Sequence, residues 1–268
     1  KSNYLLAYDN GQIVASLPLM VQEGPLGKVV NSLPYYGSYG GVISRDPIFS
    51  ANLLREYNDI ISEQSVVSAT YIENPLAGLG HVPLHNSTDV RIGQLTDIRC
   101  EKDFADEIFK RISGNKRNEI RRAEKHGVRV TEENDQLDFV RLIHQSEMKE
   151  KNRKNKSDAF FHQVKEHFIA GKEYKVFIAR LDEKPIAGLL LFYFNKTVEY
   201  FTPVVISDAR IYQPMALILY YAFLDAMQSG YEWFNWGGTW LSQDGVYRFK
   251  NQMGAVDKPY KYYIQINK

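Results

Sequence analysis

Only one cysteine, Cys100, occurs in the 268 residues. A lone thiol closes no internal disulfide and no Cys/His cluster accompanies it, so a disulfide scaffold and a structural zinc are excluded and a reducing compartment is expected. Cys100 itself reads as a core residue. Long hydrophobic runs are also missing. The longest, about Ala187 to Phe194, is far short of the roughly 18 residues a membrane helix needs and reads as a buried strand. No membrane span is expected, and the chain reads as a soluble, cytoplasmic protein. Charge of one sign is lacking as well. With Lys+Arg 33 against Asp+Glu 32, the formal net charge is +1, which gives no whole-surface attraction to nucleic acid or anionic lipid and leaves only local patches. Several strong motifs are absent: a phosphate loop ending Gly-Lys-Ser/Thr, Gly-x-Gly-x-x-Gly, His-Glu-x-x-His and Gly-x-Ser-x-Gly. Nucleotide hydrolysis, dinucleotide redox work, metalloprotease and serine-esterase chemistry are disfavoured accordingly. His81 and His85 are four apart, but Pro83 between them breaks the helix that would set both on one face, so they read as a surface loop and no metal site is expected.

What is present is ordinary globular material, 44% hydrophobic and 24% charged, enough to bury a core. The chain opens at Lys1 directly in a strand-like stretch, from which further residues upstream are expected. Two apolar runs, Tyr4 to Tyr8 and Ile13 to Met20, flank Asp9-Asn10-Gly11, the signature of a hairpin. The loop Leu33-Pro34-Tyr35-Tyr36-Gly37-Ser38-Tyr39-Gly40-Gly41 suits either a ligand wall or an edge whose tyrosines cover the core. Asp46-Pro47 opens a helix to about Ser62, and a strand from Val66 to Ile72 ends before Pro75. From Glu101 the texture turns helical: Asp103 to Ile112, Asn115 to His126, Asn134 to Lys151, and a fourth helix capped by Ser157 or Asp158 and running to Ala170. Three β-rich runs with short polar turns follow, Tyr174 to Leu181, Pro185 to Phe194 and Thr197 to Pro203. Next come an apolar helix from Pro214 to Ser229, a strand from Trp233 to Trp236, a short helix near Val246 to Gln252 and a last strand around Tyr260 to Ile266. The expected fold class is α/β (α+β), with two tandem modules of mixed sheets flanked by helices. The N-terminal module spans 1–100 and the C-terminal module 101–268, the last strand being free to return to the first.

Two basic stretches stand out. Arg117, Arg121 and Lys125 recur every fourth residue and would form one positive stripe, either a solvated helix face or a phosphate contact. Lys149, Lys151, Arg153, Lys154 and Lys156 gather at a helix end, where they either complement the helix dipole or bind phosphate.

The C-terminal run Asn235-Trp236-Gly237-Gly238-Thr239-Trp240 and Tyr247-Arg248-Phe249-Lys250-Asn251-Gln252-Met253-Gly254 is less generic. With Asn115 to Val128 and the Leu33 to Gly41 loop, it resembles the FemAB/FemX-type acyltransferases and their broader acetyltransferase-like (GNAT) relatives. The likeness covers most of the chain, in order. It implies tandem GNAT modules and an enzyme that moves an aminoacyl or acyl group to an amine, on a peptidoglycan or other cell-envelope precursor. By the same likeness Phe249 and Lys250 lie at the reaction centre, Tyr200 is a site tyrosine and Arg153 contacts the acceptor's phosphates; a cleft between the modules would be lined by Tyr35, Tyr36, Tyr39, Tyr200 and Phe249. Lys250 would stabilise the oxyanion formed when an amine attacks an ester or thioester. Where FemX-like chains place an Asp before a Pro, this sequence has Asn74-Pro75. Asn takes no proton at neutral pH, so Glu73 becomes the stand-in for the base, although strand alternation turns it to the other face.

The donor divides two readings. GNAT enzymes that use acyl-CoA hold pyrophosphate on a Gln/Arg-x-x-Gly-x-Gly/Ala helix start. Here the corresponding stretch is Arg210-Ile211-Tyr212-Gln213-Pro214-Met215, with both small positions replaced. An aminoacyl-tRNA donor would give Arg121 and its neighbours a use, but the helical arm some tRNA users carry has no counterpart. The acyl donor is therefore aminoacyl-tRNA or acyl-CoA, no cofactor is bound permanently, and the partners expected are an envelope-precursor small molecule and, on one reading, tRNA. A third reading is a non-catalytic module binding phosphate or nucleic acid through Arg117, Arg121 and Lys125.

Overall fold

A computed structural model describes residues 1–33, 39–76, 81–240 and 242–267. Tyr35 and Tyr36 lie outside the described residues. In chain order the elements are β1 (Ser2–Asp9), β2 (Gln12–Gly24), β3 (Gly27–Asn31), β4 (Ile43–Ser44), α1 (Pro47–Ile61), β5 (Val66–Ile72) and β6 (Ser87–Asp97). Then follow α2 (Phe104–Arg111), α3 (Gly114–Lys125), β7 (Arg129–Glu132), α4 (Leu137–Glu150), α5 (Asp158–His167), β8 (Tyr174–Leu181), β9 (Lys184–Phe194) and β10 (Thr197–Val205). The chain closes with α6 (Pro214–Gln228), β11 (Trp233–Thr239), α7 (Asp244–Gln252) and β12 (Val256–Ile266). Two compact units divide it: Lys1–Gly93 with Gly238–Gln243 and Asp257–Lys268, and Gln94–Gly237 with Asp244–Val256. The chain passes between units first at Gly93, inside β6, where the sequence reading draws its line at residue 100.

In the first unit the β1–β2 hairpin turns through Asn10 and Gly11, both at positive φ (48° and 78°), the left-handed geometry that Asn-Gly adopts at little cost. β3 pairs antiparallel with β2 and parallel with β5, and β12 pairs antiparallel with β5. The parallel step needs a crossover, which α1 supplies. Asp46 caps α1 by accepting from the Ile48 N–H at 2.7 Å, with Pro47 in the first turn where no N–H is needed. Leu53, Leu54, Tyr57 and Ile61 of α1 pack with Leu17, Leu19, Val30 and Ala69 of the sheet.

The second unit repeats the plan. β8, β9 and β10 form an antiparallel meander, α6 crosses over, and β11 runs parallel to β10. Apolar nearly all round, α6 is buried, as such a helix must be. It shares a core with Ile108 of α2 and Ile120 and Ala123 of α3 on one face of the sheet. α4 and α5 cover the opposite face, over Tyr174, Val176, Ile178, Leu190 and Val204. Each unit is thus a mixed sheet with helices packed on it, the tandem α/β arrangement expected.

Four strands lie outside the sequence-based expectations: β3, β4, β6 and β7. The helix expected to reach Ala170 stops at His167, because the Phe168 backbone is extended. Cys100 is half-buried and donates from Sγ to the Lys102 carbonyl at 2.8 Å. It packs against the core's margin instead of lying within it.

Candidate active site

The site of the second unit starts from strand pairing. β10 and β11 are hydrogen-bonded only from Thr197/Trp233 to Glu199/Asn235, although both strands run on. Just beyond, β10 slips register against β9 between Tyr200 and Thr202, leaving Phe201 as an extra residue. Such a bulge bends a strand and re-aims its side chains. Parallel strands that part in this way offer main-chain donors and acceptors to an extended ligand.

Side chains gather at the parting. Asn235 Nδ2 donates to Glu199 Oε2 at 2.7 Å, while Asn235 Oδ1 accepts from the Gly237 N–H at 2.9 Å, so the carboxylate is aimed by an amide that is itself fixed. On the other face of the two strands Trp236 is buried. Its ring lies 5.0 Å from that of Tyr200 and 6.2 Å edge-on from that of Phe249. Its Nε1 donates to Thr96 Oγ1 at 2.9 Å. Burial, and secondarily Glu147, push the Tyr200 phenol well above its ordinary pKa, so it stays protonated.

Lys250 is on α7 and only 4% exposed. The helix end that buries it is pinned. The Ser113 N–H at the start of α3 donates to the Gln252 carbonyl at 2.8 Å, Gly254 turns the chain at φ 80°, and Met253 is buried entirely. A Cβ at Gly254 would stand 2.9 Å from the Arg111 carbonyl oxygen, so the position excludes side chains by conformation and by space alike. Burial drives the Lys250 ammonium down to about 8, and the Glu199 carboxylate offsets part of that fall. Desolvation disfavours the charged amine, while the neighbouring anion favours it. Near neutral pH the group is a cation a short titration away from a free amine.

Lys116 of α3 is buried too, paired with Glu119 at 2.7 Å, its Nζ 4.6 Å from the centre of the Phe249 ring. A second cation with a low pKa is Lys156, also pushed to about 8 by burial, its Nζ 4.9 Å from the Phe201 ring centre. The backbone N–H of Lys156 donates to Nε2 of His144, 3.2 Å away.

Of the residues named from sequence, the structure sets Tyr200 and Phe249 against Trp236, and buries Lys250, next to Phe249 on α7, within electrostatic reach of Glu199. Arg210 is exposed, its guanidinium 3.5 Å from Glu147 Oε1, and Glu147 in turn holds Lys151 at 3.1 Å. Arg153 is exposed just past α4, its N–H bonded to the Met148 carbonyl. Glu73 and Tyr39 belong to the first unit. There Glu73 Oε2 accepts from the Lys261 N–H at 2.9 Å, and the Tyr39 ring packs edge-on to Tyr260 at 5.0 Å.

The positive stripe is only partly a stripe. Arg117 is half-buried and spends its guanidinium on the carbonyls of Phe109 (2.6 Å) and Ile112 (3.4 Å), locking the α2–α3 corner, because those helix-end carbonyls have no intrahelical partner. Arg121, with its guanidinium 5.5 Å from the Phe109 ring centre, and Lys125 stay exposed. At the start of α6, Gln213 takes a left-handed conformation (φ 56°) ahead of Pro214, with no side-chain cap. Sequence reasoning missed Glu199, Asn235, Lys116 and Trp236 as site residues. The Asn-Trp-Gly-Gly run pointed to two of them, but the pairing of β10 with β11 that joins Glu199 to Asn235 has no local signal. Among the described residues, no group of three or more His, Cys, Asp or Glu is placed to hold a metal ion.

A buried cation with a carboxylate in electrostatic reach is an arrangement able to stabilise charge that develops during group transfer. Residues 110–251, more than half of the chain, match the profile described as "Acetyltransferase (GNAT) domain", and the chain belongs to that family of acyltransferases. No curated protein matches the chain. Among solved structures it is similar to FemX, at 12% identity and a TM-score of 0.70 over 98% of this chain and 88% of that one. It is also similar to L-PGS from Bacillus licheniformis, at 14% identity and a TM-score of 0.62 over 100% and 85%. A tandem GNAT protein from the clavulanic acid biosynthesis pathway aligns at 11% identity and a TM-score of 0.53, over 99% and 83%. At such identities the likeness establishes the fold.

Proposed function

We propose that this acyltransferase moves an aminoacyl or other acyl group onto an amine of a cell-envelope precursor, a peptidoglycan or polysaccharide building block, with Lys250 at the reaction centre. The observation that carries the proposal is the burial of Lys250 beside Glu199, with the Lys250 ammonium depressed to about 8. In the reaction the acceptor nitrogen forms a C–N bond to the donor's carbonyl carbon and the C–O or C–S bond to the carrier breaks. The proton shed by nitrogen ends on the leaving oxygen or sulfur. A protonated Lys250 donates to the oxyanion of the tetrahedral intermediate, a role worth roughly 10²- to 10³-fold in rate. With a pKa near operating pH it is also poised to protonate the leaving group and recover a proton from the nitrogen. Glu199, held by Asn235, keeps the ammonium charged and oriented. Tyr200, Trp236 and Phe249 shield the centre from water, which strengthens each charge interaction there.

For the donor, aminoacyl-tRNA fits the exposed Arg121 and Lys125 and the proline at the start of α6, which removes one of the N–H groups a pyrophosphate would use. Acyl-CoA remains the second reading, favoured by the match to the acetyltransferase family. The enzyme works without a permanently bound cofactor on either. Parallel titrations with acetyl-CoA and with aminoacyl-tRNA, at low and moderate salt, separate the two. Salt-sensitive tRNA binding without CoA binding is expected; tight, salt-tolerant CoA binding would overturn the tRNA reading.

A further inference from the structure

Lys116 stands where a lysine is costly on two counts. It is the third residue of α3, whose first turn holds no acidic side chain, and a cation there opposes the positive end of the helix dipole. It is also only 7% exposed, while its partner Glu119 keeps part of its surface in water. Taking an ion pair out of water costs so much that apolar residues of like size often replace such pairs without loss of stability. Packing and helix formation alone would favour methionine or leucine at this position. What the ammonium touches gives the charge a use.

Nζ lies 2.7 Å from Glu119 Oε2, one turn on in the same helix, and 4.6 Å over the centre of the Phe249 ring. Phe249 belongs to α7 and directly precedes Lys250. Trp236 meets the same ring edge-on, at 6.2 Å and 90°. Trp236 is itself tied to the end of α7, since its Nε1 donates to Thr96 Oγ1 and that hydroxyl donates to the Met253 carbonyl at 3.3 Å. Ser113 joins the two helices directly: its Oγ accepts from the Lys116 N–H at 3.3 Å, while its own N–H donates to the Gln252 carbonyl at 2.8 Å. These bonds fix where α7 ends. They leave its rotation about its own axis to side-chain contacts, of which the cation on Phe249 is one that strengthens as water is excluded. Neighbouring residues of a helix are about 100° apart, so any rotation that draws Phe249 off Lys116 turns Lys250 by the same angle.

We propose that Lys116 is a positioning residue for Lys250: its ammonium, held by Glu119 over the Phe249 ring, sets the rotation of α7 and with it the depth at which the Lys250 amine is buried. The significance of this rests on Lys250 acting at the reaction centre; its test does not. ¹³C NMR titration of the intact protein, labelled at lysine Cε, reads the Lys250 amine directly, with its signal assigned from the loss in Lys250→Arg. The parent midpoint is expected at about 8, where burial, offset in part by Glu199, places it. In Lys116→Met, Lys250 regains water and its midpoint should rise toward the ordinary lysine value of about 10.4. Lys116→Arg keeps a cation over the ring and should restore the parent midpoint. Loss of a neighbouring charge would also raise the midpoint, so Phe249→Leu, which leaves the Lys116–Glu119 pair whole, separates the two routes. It should raise the midpoint as well, and Lys116→Met added to it should raise it no further, because two groups acting through one contact do not add. An unmoved midpoint in Lys116→Met or in Phe249→Leu, or shifts that add in the double variant, would overturn the proposal. Phe249→Leu decides alone if Lys116→Met does not fold. Absence of acyl transfer would sink the role proposed for Lys250 without moving these midpoints, and a failed titration would leave the transfer reading standing.

Discussion

At the scale of single residues, two buried bases make opposite demands. Lys250 must be charged for the proposed chemistry, yet burial lowers it to about 8. The rate should therefore fall as pH rises above about 8, a limb read from kcat profiles. Glu199 opposes the burial, so Glu199→Gln should move that limb to lower pH; a limb that moves upward or not at all would show that Glu199 does not act on Lys250. His144 is a matter of stability. Burial, and then the nearby Lys156 charge, lower it from 6.5 to about 4. Between these values the unfolded chain binds the extra proton and the folded one does not, so the protein loses stability as pH falls from 6.5 towards 4. The loss is about 3 kcal/mol if the full shift is realised. Denaturant unfolding at several pH values checks this, and in His144→Gln the acid slope should flatten.

Elements decide whether those residues meet. The end of α7 rests on the α2–α3 corner through the Ser113 N–H bond to Gln252 and the close approach of Gly254 to Arg111. Gly254→Ala should lower stability by more than ~1 kcal/mol and depress transfer beyond what the lost folded fraction explains, because it shifts the helix carrying Lys250. Equal losses of activity and folded protein would show that the corner serves folding alone. The same scale explains what was legible in the sequence. The Asn-Gly hairpin, the Asp46-Pro47 start of α1 and the apolar α6 announce themselves through neighbouring residues. β7 is four residues, Arg129–Glu132, too short for a period. β3 begins at a glycine and pairs with β5 across a long crossover, and in β6 the alternation of Val90 and Ile92 breaks at Gly93-Gln94, so their evidence as strands lies in distant partners. Arg117 shows the converse: its four-residue spacing with Arg121 was visible, but the open carbonyls of Phe109 and Ile112 that claim it were not.

For the whole molecule, one plan used twice, an antiparallel meander followed by a crossover helix and a parallel strand, accounts for the two units. The second unit has helices on both faces of its sheet and buries Lys250 at 4% exposure. Among the described residues no helix is long and apolar enough to cross a membrane. With a net charge of +1, any tRNA attraction must come from local cations such as Arg121 and Lys125. Arg121→Glu should then weaken tRNA binding and reduce its salt dependence; binding of tRNA that ignores this charge reversal would remove the basic helix from donor recognition. The Phe249-Lys250 pair was legible through resemblance to a family, whereas Glu199, Asn235 and Lys116 join it only once β10, β11, α3 and α7 are assembled. The most direct test of the central claim is single-turnover acyl transfer by Lys250→Ala, once a donor is in hand, with the fold monitored by circular dichroism. A loss of about 10²- to 10³-fold in the chemical step with the fold intact is predicted; unchanged turnover would contradict it.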